Sequence, residues 1–243
     1  MNDLLARVLD AHGGLDNWSK VTNVSLQLSL DGPFWEWRGW PEIRRTQTVT
    51  LDSRRPHITL TPFVANSTTA FFDAMPERVQ IKDADGNVQE QRDDPRLSFP
   101  DYDDSVQWDA LQLAYFTGYA NWNYVNEPFL FTYPRVEAHE IEPWDEGGHT
   151  WRRLAVTFPR NLPSHSPQQT YYYDDDFLLR RTDYTPDLTA NSLIAHYTHD
   201  PKNFDGFTFY TRRSVHIRNA DGIADKSFAP ITISVGSVSI ERD

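Results

Sequence analysis

The chain has 243 residues, 39% of them hydrophobic and 14% aromatic, with a formal net charge of −12 and no cysteine. An acidic balance argues against a nucleic-acid partner, whose phosphates attract basic surfaces, and equally against docking on anionic lipid. Without cysteine there is neither disulfide nor thiolate chemistry, and no apolar run approaches the roughly 18 residues that a membrane-spanning helix needs.

The first residues, MNDLLARVLDAHGG, place Leu4, Leu5, Val8 and Leu9 at helical spacing, with Asn2 or Asp3 as cap and Gly13-Gly14 as terminator. They lack a basic region followed by an apolar one, so the expectation is no secretory signal and a cytoplasmic protein. The period then changes to two. Val24, Leu26, Leu28 and Leu30 alternate with polar residues as in a half-buried strand, and Asp31-Gly32-Pro33 ends it. Residues 34–40 read as the returning strand, followed by strands near 44–51, 57–63 and 69–72. Strands at 78–82 and 88–92 flank Asp83-Ala84-Asp85-Gly86-Asn87, a strong hairpin signal. The acidic, proline-bearing stretch 93–104 reads as a surface connection.

From residue 105 the helical period returns, with Trp108, Leu111, Tyr115, Tyr119 and Trp122 as one stripe and Ser105 or Asp104 as cap. Pro128 drives Glu127 out of the helical region, so the helix must end before it. The 19 residues from Tyr115 to Tyr133 hold 8 aromatics, interleaved with Asn121, Asn123 and Asn126. That mixture suits either an unusually aromatic core or the wall of an apolar pocket, and the stretch reads as a lid helix and the strand after it. Further strands are expected at 136–142, 151–158, 168–174, 178–184, 193–199, 207–218 and 231–240. No linker, composition shift or repeat divides residues 1–243, so one domain is expected. The fold class that follows is mainly β: a large curled antiparallel sheet forming an unclosed half-barrel, lidded by the central helix and the short N-terminal one.

Arg213 is the sharpest local anomaly. It falls in the row Phe207, Phe209, Thr211, Arg213, Val215 and Ile217, the apolar face of one strand. A guanidinium there must be paired, with Glu36 or Glu140 as candidates, or must clamp a ligand anion across a cavity, unless a bulge swaps the faces. Arg180 and Arg181 form a second pair whose inward member the alternation does not decide. Tyr171 and Tyr173 share one face of their strand and Tyr172 takes the other. His165, between Pro163 and Pro167, sits in a loop of the kind that builds pocket rims. Its neighbours Ser164 and Ser166 form no nucleophile elbow, and hydrogen bonding to its own backbone is its expected role. His196 and His199 would point to opposite faces of a strand, and the acidic runs lack the spacing of a calcium loop. No phosphate loop or dinucleotide fingerprint occurs, so no metal and no cofactor are expected.

The stretch Ala11-His12-Gly13-Gly14-Leu15-Asp16-Asn17-Trp18, followed by a strand, resembles proteins of the LolA-like superfamily of lipoprotein carriers. Several strings, PRLSF (95–99), YFTGYANWNY (115–124), YYYDDDFLLRRTDY (171–184) and YTRR (210–213), are similar to an uncharacterised bacterial family. The carrier resemblance implies an unclosed β-barrel whose helices lid an apolar cavity. Against those carriers, the expectations here are no signal sequence and a cavity that adds arginine, asparagine and tyrosine. A violacein-pathway enzyme, VioE, is a cofactor-free catalyst on a similar cup, so the resemblance leaves carrier and catalyst open.

The expected function is binding of an apolar or aromatic small molecule that bears an acidic or polar group. Trp108, Tyr115, Trp122, Tyr124 and Arg213 are the expected lining, with His165 at the rim. The rival expectation is a cofactor-independent cyclase, isomerase or dehydratase, with Arg213 stabilising negative charge and His165 or Tyr184 moving a proton. A third possibility is a protein-binding scaffold whose aromatic segment is simply core.

Overall fold

The computed structural model describes residues 2–99, 106–189 and 192–243. Its first helix, α1 (Asp3–Ala11), is capped by the Asn2 side chain, which accepts from the Leu5 N–H at 2.7 Å, and it buries Leu4, Leu5, Val8 and Leu9. The chain turns at Gly13 with φ +118°, and a Cβ there would lie 2.5 Å from the Phe207 ring and 2.6 Å from the Gly206 carbonyl. Glycine is required twice over, by its dihedral and by the close approach of the turn at Gly206-Phe207. A single helical turn, α2 (Leu15–Trp18), leads into the sheet.

Among the described residues thirteen antiparallel strands follow: β1 (Val21–Asp31), β2 (Thr46–Asp52), β3 (His57–Thr61), β4 (Thr69–Ala74), β5 (Glu77–Lys82), β6 (Val88–Asp93), β7 (Glu137–Glu146), β8 (His149–Thr157), β9 (Gln168–Tyr173), β10 (Leu179–Tyr184), β11 (Ile194–Phe204), β12 (Phe207–Ile217) and β13 (Ile231–Arg242). Their order is β6-β5-β4-β3-β2-β1-β13-β12-β11-β10-β9-β8-β7, so two meanders meet where β1 pairs with β13 and the sheet stays open at β6 and β7. Both edge strands are largely exposed, and their charged residues, with Pro143 in β7, oppose edge-to-edge pairing. The inner face of β1 buries Val24, Leu26, Leu28 and Leu30. On its outer face Ser25, Gln27 and Ser29 bond Thr50, Thr48 and Thr46 of β2 at 2.8–2.9 Å. The two-residue alternation thus sorts core from solvent along the whole strand.

Residues 34–40 are not a strand. Phe34–Trp37 forms a helical turn, α3, that buries Phe34 and Trp35 side by side. Two successive buried aromatics cannot share one face of a strand, and the Phe34 N–H is drawn to the Pro230 carbonyl at the start of β13 (3.1 Å).

The central helix, α4 (Ala110–Asn126), begins later than its sequence pattern indicates. Asp109 caps it in a reciprocal capping box with Gln112, and Trp108 precedes it; Asp104 and Ser105 lie outside the described residues. It ends at Asn126, with Glu127 extended as Pro128 demands. The helix is no one-sided lid, because sixteen of its seventeen residues are buried. Thr117, Asn121 and Asn126 tolerate this by donating to the carbonyls four residues back, each at 2.8 Å. Gly118 lets the helix touch β4: a Cβ there would lie 2.8 Å from Cβ of Phe72. The segment after the helix is also no strand, since Phe129–Thr132 forms a 3-10 turn with Phe129, Leu130 and Phe131 buried. The aromatic stretch is therefore the filling of the cup, and one continuous apolar cluster joins it to both meanders.

The outer face carries a second cluster of Trp151, Tyr172, Ala195 and Tyr197. Tyr171 and Tyr173 belong to the inner core and Tyr172 to the outer cluster. At the centre of the outer cluster Arg181, 0% exposed, binds both oxygens of Asp183 (2.5 and 2.8 Å), Glu146 (2.6 Å) and the Gly222 carbonyl (2.6 Å). Its guanidinium lies over the Tyr172 ring at 4.9 Å. Arg181 thus faces away from the cup, while Arg180, at a register shift in β10, pairs with Asp174.

Candidate functional site

Between α3, α4 and the ends of strands β10 to β13 lies a cavity of about 360 Å³. Its walls are apolar: Phe34 from α3, Phe116 from α4, Ile194 from β11, Val215 from β12 and Ile231 from β13. At the mouth stand three apolar side chains that remain exposed, Trp37 (49%), Ile217 (43%) and Phe228 (47%), with the Trp37 and Phe228 rings 6.1 Å apart. Arg38 also lines it, its guanidinium held 5.2 Å from the Phe34 ring and 5.1 Å from the Trp108 ring while Nη1 donates to the Val106 carbonyl. Among the described residues no carboxylate lines this pocket.

Beside Arg38, Thr189 and Ser192, the polar part of the wall includes a stacked pair. His165, from the loop after β8, and Tyr184, at the end of β10, lie with ring centroids 4.5 Å apart and planes 4° from parallel. His165 is buried rather than at the rim, and its ring does not bond its own backbone. Its Nδ1 meets the Tyr119 hydroxyl at 3.1 Å and its Nε2 the Tyr124 hydroxyl at 2.6 Å. A neutral imidazole has one N–H, so one phenol donates to the ring and the other accepts from it. Burial, followed by the charge of Arg96, pushes His165 down to about 3. Burial likewise raises Tyr119, Tyr124 and Tyr184 above the ordinary phenol value. The group is therefore uncharged at neutral pH. His196, behind it, lies 3.4 Å from the Tyr184 hydroxyl through Nδ1 and packs edge-on against Tyr124; burial and then the charge of Arg213 hold it neutral too.

Two smaller chambers, each of about 30 Å³, lie beneath α4. The first shares Phe116, His165, Tyr184, Val215 and Ile231 with the outer pocket. The second shares Asn121, Tyr124 and Ile233 with the first, and it ends at Glu127 and Arg213. Arg213 is buried on the cup side of β12 and pairs with Glu127 at 3.5 Å, not with Glu36 or Glu140. Glu36 is exposed at the surface and Glu140 pairs with Arg152. The Arg213 guanidinium also donates to the Tyr124 carbonyl (3.1 Å) and covers the Tyr124 ring at 4.6 Å. Burial raises the Glu127 carboxyl, opposed by the charge of Arg213 and by the bond from the Tyr171 hydroxyl.

The structure separates the residues that the sequence groups as one lining. Tyr124 and Arg213 line the inner chambers. Trp122 is an anchor in the core, donating from Nε1 to the Asp52 carbonyl at 2.8 Å and packing edge-on against Tyr133. Trp108 packs among Phe34, Phe99 and Phe116, and its carbonyl accepts from Trp40 Nε1. Tyr115 opens on a separate polar cavity of about 370 Å³, where its hydroxyl donates to Glu77 at 3.0 Å beside Arg96 and Asp187. His196 and His199 do point to opposite faces, His199 bonding Ser214 on the outside. The sequence reading missed Phe34, Trp37, Phe116 and Phe228. The run FWEW, with four bulky or charged residues where a strand would alternate, was the available signal for the first two.

Among solved structures, the chain is similar to a domain designated outer membrane lipoprotein-sorting protein from Vibrio parahaemolyticus. The two share 7% identity over 98% of this chain and 91% of that one, with a TM-score of 0.55. The two chains share a fold. A LolA superfamily protein from Nitrosomonas europaea aligns at 8% identity over 98% of this chain and 92% of its own, with a TM-score of 0.45. No protein-family model matches the chain, and no curated protein does. At such identities the likeness is one of fold alone.

Proposed function

We propose that this protein binds an apolar or aromatic small molecule carrying a polar or acidic group, and that the outer pocket holds its apolar part. The observation that carries this reading is the 360 Å³ apolar cavity with Trp37, Ile217 and Phe228 exposed around its mouth. A volume of this size falls in the range of small-molecule sites, and clustered apolar side chains left in water gain by being covered. A few fixed polar groups, Tyr184 and His165 among them, would orient the guest. The lipoprotein-sorting designation of the Vibrio domain accords with handling an apolar group.

One observation favours a second reading, a cofactor-independent enzyme of cyclase, isomerase or dehydratase type: His165, Tyr184 and Tyr124 form a connected phenol–imidazole group at the pocket wall. An imidazole held at about 3 is a weak base at neutral pH, which favours binding over proton abstraction. Native mass spectrometry of protein purified without denaturation tests the binding reading. The expected result is a small-molecule adduct that an Ile231→Trp variant, with the pocket filled, fails to retain. Absence of any adduct, together with no uptake of the apolar dye 1-anilinonaphthalene-8-sulfonate, would overturn it.

A further inference from the structure

The deep wall of the outer pocket carries a continuous run of rings. Phe34 and Phe116 lie with centroids 5.8 Å apart and planes 31° from parallel, Phe116 and His165 are 5.6 Å apart, and His165 stacks on Tyr184. All four line the cavity and all four are buried. At the mouth the Trp37 and Phe228 rings add a second aromatic pair. Aromatic rings attract one another face to edge or in offset stacks, beyond what burial of apolar area supplies, and a saturated guest offers no such match.

The polar atoms of the run already have partners. Both ring nitrogens of His165 meet hydroxyls of α4, and the Tyr184 hydroxyl lies beside Nδ1 of His196. Arg38 is held by the Val106 carbonyl and by the Phe34 and Trp108 rings. The stacked pair therefore orients a guest through ring faces and edges. A polar substituent pressed against it would give up its water and gain no partner. Toward solvent the lining changes: Thr189 and Ser192 are half-buried, and Trp37, Ile217 and Phe228 are exposed.

Size sets the rest. A dry cavity of about 150 Å³ holds one benzene, so 360 Å³ is room for two rings and a substituent. The chambers beneath α4 have space for only a water or two each, which leaves the outer pocket to hold the guest by itself.

We infer that the guest is a flat aromatic molecule of about two rings, which enters ring first and keeps its polar substituent at the mouth, in water. The inference rests on the binding reading above and narrows its guest from any apolar or aromatic molecule to a compact aromatic one.

Displacement of bound 1-anilinonaphthalene-8-sulfonate by three uncharged compounds tests it on the whole chain. 2-Naphthol is expected to bind about tenfold more tightly than decahydro-2-naphthol, which has the same skeleton and hydroxyl but no aromatic face. The triethylene glycol ether of 2-naphthol should bind within about threefold of 2-naphthol, because its tail leaves through the mouth. Phe116→Leu should narrow the preference for the aromatic compound. If that buried substitution prevents folding, Phe228→Leu at the exposed mouth should narrow it too. Equal or tighter binding of the saturated compound, or a preference that neither variant changes, would overturn the aromatic guest while leaving the outer pocket intact. Loss of binding by the ether would overturn the ring-first orientation. No uptake of the dye by the native protein, or uptake that Ile231→Trp leaves unchanged, would overturn the binding reading itself.

Discussion

His165 and Tyr184 lie ring on ring, 4.5 Å apart, although they come from a loop after β8 and the end of β10, and the pair is pinned from behind by Tyr119 and Tyr124 of the central helix. The stack joins three parts of the fold: the second meander, its connecting loop and the buried helix. It also forms the wall between the outer pocket and the inner chambers. Any change in this pair should register in both stability and binding.

Replacing His165 by leucine keeps the volume but leaves the Tyr119 and Tyr124 hydroxyls without their ring nitrogens. A buried polar group left unsatisfied costs about 1–3 kcal/mol, so His165→Leu should lose at least that much in urea unfolding. His165→Gln, which can still both donate and accept, should recover part of the loss.

Acidification should destabilise the protein earlier than its carboxylates alone would. Burial, partly offset by the bond to the Val8 carbonyl, holds His12 at about 4, and burial holds His165 at about 3. Both folded values lie below the ordinary histidine value of 6.5, so the unfolded chain takes up protons first as pH falls. Stability contributed by the neutral rings is complete above pH 6.5. It declines by about 1.4 kcal/mol per pH unit for each histidine until the folded value is reached. Urea midpoints measured at pH 7.0, 6.0 and 5.0 should fall steadily, and His12→Phe should flatten the trend.

Arg181 should matter for stability and not for binding. It is buried on the outer face, and Arg181→Met would take one of two cations from each of Asp183 and Glu146, leaving Arg218 on the first at 3.0 Å and Lys226 on the second at 2.7 Å. Loss of one member of a buried ion pair costs about 3–5 kcal/mol, which a thermal melt would reveal as a drop of several degrees or more. Binding of 1-anilinonaphthalene-8-sulfonate by the fraction that remains folded should be unchanged, since the pocket lies across the sheet.

The mouth should show the reverse. Trp37 and Phe228 are about half exposed, and substitutions at exposed positions usually move stability by no more than about 0.5 kcal/mol. Phe228→Asp should therefore melt like the native protein but bind the dye several-fold more weakly. An unchanged dye titration would mean that the exposed rings are not part of the binding surface.

The strands were legible because periodicity is local. Val24, Leu26, Leu28 and Leu30 declare their buried face within one strand, and Asp83 to Asn87 declares a turn within five residues. The central helix was legible for the same reason, yet its role was not. Its residues pack against strands on both sides of the chain, so its burial on all sides depends on partners far away in sequence. Trp108 and Trp122 share a helical stripe with Tyr115 and Tyr119, but only tertiary packing assigns some aromatics to core and others to cavities.

Local pattern by itself determined the mainly β class, the open curled sheet with its two helices, and the anomaly of Arg213 on an apolar row. The alternation of a strand states which face a side chain takes, and an arginine on the wrong face is visible at once. Only the tertiary structure decided that Arg213 pairs with Glu127 at the end of the central helix, that Arg181 turns outward, and that His165 is buried against Tyr184. Those contacts join His165 to Tyr184, Glu146 to Arg181 and Glu127 to Arg213, residues 19, 35 and 86 positions apart, chosen by how the sheet curls around the helix, and no periodicity within one segment encodes them.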